Sequence, residues 1–63
     1  MQKKPFRKGD VVAAMVVAKG RLPGEDIAVA GERCITVRGA AGRREVRVAI
    51  TRDKHGIFYG SAL

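Results

Sequence analysis

The chain carries one cysteine, one histidine, no tryptophan, two phenylalanines and one tyrosine. Each scarcity removes a class of protein. With Cys34 alone no intrachain disulfide can form, and Cys34 with His55 cannot supply the four ligands of a structural zinc site. Triad chemistry needs a nucleophile, a base and an orienting group. His55 lies in a turn among charged residues and reads as a solvated loop histidine. Cys34, inside an alternating stretch, reads as a small half-buried apolar residue. Glu25 and Asp26 occupy a turn with no distant carboxylate to pair with, and no phosphate-cradling glycine motif with its lysine is present. Neither an enzyme nor a cofactor is expected. Long apolar runs are missing too. The longest, Val11 to Ala18, has eight residues, far short of the ~18–20 of a membrane span. Cations precede it as in a secretory leader, but the run is rich in valine and no small-residue cleavage site follows it. A lone free thiol fits the cytoplasm, and no membrane partner is expected.

Acidic residues are also few: thirteen Lys and Arg face six Asp and Glu, a formal net charge of +7 on 63 residues. Such an excess favours polyanionic partners, nucleic acid first and an acidic protein second. The length allows a single domain, and a core this small rarely supplies more than ~3–5 kcal/mol. With disulfides and metals excluded, oligomerisation is the remaining source of burial, so a homodimer is expected.

Residues 1–9 read as a basic, flexible arm carrying Lys3, Lys4, Arg7 and Lys8, and residues 10–63 as one small β domain. In Val11 to Lys19, Asp10 and Gly20 could cap and end a short helix, but four valines in nine residues favour a buried strand. Lys19 to Gly24 reads as a turn or loop. Ile27 and Val29 share one face of the next strand, with Ala28 and Ala30 on the other, and Gly31-Glu32 breaks the run. Ile35 and Val37 alternate with Cys34, Thr36 and Arg38. Val46, Val48 and Ile50 alternate with Glu45, Arg47, Ala49 and Thr51. Gly39 to Gly42 between them has hairpin length. Asp53 to Gly56 turns into a last short strand at Ile57-Phe58-Tyr59, in which one aromatic fills the core and the other faces out, available to a base or a protein partner. The pattern predicts an all-β fold, a small barrel or sheet domain of about five short strands.

The cations carry the functional signal. Eight of the thirteen are arginines, whose planar fork suits phosphate and guanine edges. Arg33, Arg38, Arg43, Arg44 and Arg47 crowd the expected central hairpin, Arg38 and Arg47 on the face away from its apolar residues, and together they are expected to form one positive edge. Phe6, among lysines, is a candidate stacking platform. The alternative for all of them is a solvated strand face whose charges deter aggregation.

Met15 to Ile50 resembles the carbon storage regulator family of small RNA-binding translational repressors. Met15-Val16-Val17 and Arg21-Leu22-Pro23-Gly24-Glu25 are similar to that family's opening strand and turn. Ile27-Ala28-Val29 with Gly31-Glu32 resembles its second strand and Gly-acidic turn. Ile35-Thr36-Val37, Gly39, Gly42 and Val46-Arg47-Val48-Ala49-Ile50 resemble its central strands. After Ile50, Thr51 to Tyr59 departs from the family in lacking its proline and its RNA-contacting arginine. The resemblance implies an interleaved homodimer that binds GGA-containing RNA loops, with contacts around Arg21 and near Arg52. The expected function is thus a non-enzymatic nucleic-acid-binding module, RNA before DNA, in post-transcriptional regulation. The alternative is a small SH3-like basic barrel that modulates a protein partner as a phage or plasmid accessory protein, suggested by Arg7-Lys8-Gly9-Asp10 ahead of an apolar strand.

Overall fold

A computed structural model describes residues 6–63. Among them there is no helix; five strands follow in order, β1 (Val11–Lys19), β2 (Glu25–Ala30), β3 (Arg33–Arg38), β4 (Glu45–Lys54) and β5 (Ile57–Ala62). The valine-rich run is therefore a strand, as its β-branching favours. The strands close into a barrel in the order β1-β2-β3-β5-β4, with β4 returning to β1. Every neighbouring pair is antiparallel except β3 and β5, which run parallel. All five ladders lie within the one chain. This strand order is that of the five-stranded Greek-key barrel known as the oligonucleotide/oligosaccharide-binding fold. It differs from the antiparallel meander of an SH3-like barrel, because β5 passes between β3 and β4.

That insertion corrects the expected central hairpin. β3 and β4 do not pair; the residues between them form a crossing loop rather than a tight turn. Gly39, Ala41 and Gly42 all take positive φ there, at 85°, 56° and 79°, and Ala40 turns its side chain into the core. By contrast, the two-residue links Gly31-Glu32 and His55-Gly56 make true hairpins. At His55-Gly56 both φ values are positive, 53° and 81°. That is the geometry of a type I′ turn, for which glycine suits the second position and histidine is tolerated at the first.

The core is Ile35, Val37, Val46, Val48, Ile50 and Phe58, from β3, β4 and β5, closed by Ala14, Ala28, Ala30 and Ala40. Large side chains from three strands fill the barrel, so β1 and β2 present small ones. This decides which face of β2 turns inward and changes the expectation for β1. On β2 the alanines face inward, while Ile27 and Val29 lie half-buried outside. On β1 only Ala14 is fully buried. Val12 and Val16 pack partly against the core, and Val11, Ala13, Met15 and Val17 are exposed. The apolar run is thus one inner and one outer face, not a strand buried on both. Cys34, expected half-buried, is exposed on β3.

The end of the barrel beside Phe58 is closed by Phe6, which meets Phe58 edge-to-face with ring centroids 5.0 Å apart. Phe6 is therefore a core contact rather than a free stacking platform. The chain after it is tied down as well. Arg7 N–H donates to Asp10 Oδ2 at 2.9 Å, Asp10 N–H to the Arg7 carbonyl at 2.9 Å, and Gly9 N–H to the Ile50 carbonyl at 2.7 Å. Asp10 closes a turn here and caps no helix. Of the arm expected over residues 1–9, the part from Phe6 onward is anchored; Lys3 and Lys4 lie outside the described residues.

Candidate nucleic-acid interface

Backbone register places a line of side chains across four strands. Ile27 pairs with Thr36, Thr36 with Tyr59, and Tyr59 with Arg52. Because Ile35, Val37, Phe58 and Gly60 face the interior, period-two alternation turns Thr36, Tyr59, Arg38 and Ser61 outward. Arg38 pairs with Glu25 on one side and Ser61 on the other, making a second line beside the first. The loop between β1 and β2 overhangs both, and brings Arg21 and Leu22 to the edge. Arg21, Leu22, Glu25, Thr36, Arg38, Thr51, Arg52, Tyr59 and Ser61 together line a groove of about 660 Å³.

Alternation alone would have sent Arg52 inward, after Val46, Val48 and Ile50. A β-bulge prevents this. The β4–β5 register shifts between Ile50 and Arg52, so that Ile50 faces Gly60 and Arg52 faces Tyr59. The extra residue, Thr51, donates its hydroxyl to the Tyr59 carbonyl at 3.1 Å. Bulges re-aim side chains in this way, and here the arginine lands on the aromatic. The Arg52 guanidinium carbon is 4.7 Å from the Tyr59 ring centroid, within cation–π range. Arg38 keeps 70% of its side chain exposed while its Nε lies 3.5 Å from Glu25 Oε2. An exposed pair of this kind contributes about 0–1 kcal/mol; its effect is to steady the arginine at the groove. Arg7 and Lys8 border a smaller hollow shared with Phe6, Thr51 and Arg52, which extends positive charge from the groove toward the N-terminus.

The single positive edge is therefore corrected to two surfaces. Arg38 joins Arg21 and Arg52 at the groove. Arg43, Arg44 and Arg47 lie on the β1–β4 side, two strands from β3 in either direction round the barrel. Arg47 pairs with Ala13 of β1, and the Arg44 carbonyl accepts from Val16 N–H at 2.6 Å. Arg43 points its guanidinium at main chain: Nε donates to the Ala40 carbonyl at 3.0 Å, Nη1 to the Leu63 oxygen at 3.1 Å and Nη2 to the Gly39 carbonyl at 3.4 Å. It pins the β3–β4 crossing loop to the end of β5. The split follows from β5 separating β3 from β4. Of the adjacent aromatics, Phe58 is the buried one, so Tyr59 is the outward ring that the sequence offered to a base or a protein partner without saying which it was; Thr36 and Ser61 were not singled out.

No cluster of three or more His, Cys, Asp or Glu able to hold a metal occurs among the described residues. Compared with protein-family models, curated proteins and solved structures, the chain matches none.

Proposed function

We propose that the protein is a non-enzymatic nucleic-acid-binding module that takes single-stranded RNA, and single-stranded DNA less well, in post-transcriptional control. The observation that carries this is the groove in which Arg21, Arg38 and Arg52 surround an outward Tyr59. Single-strand binders pair a cationic groove with an aromatic face on which a base stacks, and the arginine forks supply phosphate contacts. Thr36 and Ser61 hydroxyls beside Tyr59 can meet a ribose 2′-hydroxyl, which favours RNA. Fold analogy adds modest support. Barrels of this strand order bind oligonucleotides or oligosaccharides on the face of strands two and three, between the first and fourth connecting loops; this groove shares the first loop and β3 with that site but extends over β5 and β4. The net charge of +7 selects the polyanion over the neutral sugar.

Fluorescence anisotropy tests this with a GGA-loop RNA, a scrambled single-stranded RNA, single-stranded DNA and a duplex, each at two salt concentrations. The expected order is RNA, then single-stranded DNA, then duplex, with loss of the order in Tyr59→Ala. A GGA preference that persists at high salt adds the repressor specificity implied by the carbon storage regulator resemblance. Equal, salt-sensitive binding to all four, unaffected by Tyr59→Ala, refutes the groove.

A further inference from the structure

The outer face of β1 and β4 is a second surface with different chemistry. Val11, Met15 and Val17 are 52%, 47% and 59% exposed, and Leu63 is 61% exposed. Leu63 is held there by its N–H, which donates to the Arg47 carbonyl at 2.8 Å, and by Arg43. A shallow groove of about 480 Å³ runs among Ala13, Met15, Arg47 and Leu63. Val17 is the extra residue of a second bulge, where the β1–β2 register shifts between Val16 and Ala18. From Val11 to Val17 the strip spans roughly 20 Å. Exposed apolar side chains gathered on one strand mark an interaction surface more often than isolated ones do.

The rim says what would cover it. Arg47 stands beside the strip, and Arg43, Arg44 and Lys19 surround Val17. Glu45 and Asp26 are the acids beside them, so the surround is net positive. Two copies of this face would bring like charges together, which disfavours self-association. Nucleic acid would satisfy the arginines but leave the valines, Met15 and Leu63 without apolar cover. A polypeptide with both acidic and apolar side chains satisfies both. We infer that the β1–β4 face docks an acidic segment of a protein partner, with apolar side chains over Met15 and Leu63 and carboxylates at Arg44 and Arg47. The protein then carries an RNA face centred on β3 and β5 with the far half of β4, and a protein face on β1 with the near half of β4, so both ligands can be held at once.

Chemical-shift mapping on the full chain tests the assignment independently of the groove. The probes are a short peptide alternating leucine and glutamate, the same peptide with serine for leucine, the same with lysine for glutamate, and a single-stranded RNA. The leucine–glutamate peptide should perturb Val11, Ala13, Met15, Arg47 and Leu63, with the control peptides much weaker and the RNA-bound sample giving the same map. Met15→Ser and Arg47→Glu should each weaken it about tenfold while leaving the RNA affinity of the Arg21–Arg38–Arg52 groove in place. Three outcomes would overturn the inference. The peptide could perturb only the Tyr59 groove or nothing; the RNA could perturb the β1–β4 face; or these residues could shift with protein concentration alone, which would make a second copy the occupant. RNA binding at neither face would refute the groove reading and leave this one standing or falling on the peptide alone.

Discussion

The guanidinium of Arg52 sits 4.7 Å over the ring of Tyr59 because β4 carries one residue more than β5 opposite it. The contact couples the groove's half-exposed aromatic to one of its cations. Tyr59→Ala should weaken single-stranded RNA binding by about 1–3 kcal/mol, the usual worth of one stacked base. Tyr59→Phe should retain most of the affinity, since stacking needs the ring and not the hydroxyl. Titrations of both variants decide it; equal losses would mean that the hydroxyl, not the ring face, is what the RNA meets.

The two arginine surfaces should separate in their salt dependence. Arg38→Ala and Arg52→Ala each remove a groove cation and should reduce the slope of log affinity against log salt by about 0.7 for each phosphate no longer neutralised. Arg43→Ala removes three donors to main-chain oxygens. It should leave the slope close to wild type and lower stability by about 1–2 kcal/mol, since each net hydrogen bond contributes ~0.5–1.5 kcal/mol. Salt titrations and urea unfolding on the same samples check both halves.

Gly60 faces inward on β5 between Val37 and Ile50. A Cβ there would overlap Val48 Cγ1 and lie 2.7 Å from the Ala49 carbonyl oxygen. Both neighbours belong to the barrel wall and cannot swing away. Gly60→Ala should therefore destabilise by about 1–3 kcal/mol, as overpacked cores do, lowering Tm by roughly 10 °C in a domain this small. A thermal melt at wild-type temperature would show that the wall yields.

The crossing loop invites the opposite change. Ala41 holds φ at 56°, a conformation that disfavours a Cβ by about 1–2 kcal/mol. Glycine gains that back but loses ~0.5–1 kcal/mol through the greater freedom of its unfolded chain. Ala41→Gly should leave stability unchanged or raise it by up to about 1 kcal/mol. A clear loss in urea unfolding would mean that the loop does not hold this conformation in solution.

Alternation made β2 to β5 legible in the sequence, and with them the buried Ile35, Val37, Val46, Val48 and Ile50. The strand order was not legible. Gly39 to Gly42 has hairpin length, and only tertiary packing of Ala40 and the insertion of β5 make it a crossing loop. That hidden step also misplaced Arg38, whose partners at the groove come from the β1–β2 loop and from β4. Arg52 illustrates the limit of periodicity: counted by twos from Ile50 it faces the core, and a single bulge at Thr51 reverses it. The unbroken apolar run of β1 hid its outer face, and on β2 alternation separated the two faces without saying which turns inward; a barrel already filled from three strands has room there only for the smaller side chain.

Phe6 joins the N-terminal cations to the fold, and its removal should separate their two effects. It packs partly buried against Phe58, so Phe6→Ala should destabilise by about 2 kcal/mol, below the ~3–5 kcal/mol of a fully buried phenylalanine. Arg7 and Lys8 follow it directly and border Arg52, so loosening Phe6 should also scatter their charge and reduce RNA affinity and salt slope together. Arg7→Ala with Lys8→Ala should reduce affinity and slope while leaving Tm near wild type and the preference among RNA sequences intact, because phosphate contacts carry no sequence information. Lys3→Ala with Lys4→Ala should act in the same sense if the charge ahead of Phe6 reaches the same strand. Anisotropy at two salt concentrations, paired with thermal melts, distinguishes these outcomes. An Arg7–Lys8 double variant with unchanged affinity and slope would remove the N-terminal segment from the binding surface and leave the groove arginines to act alone.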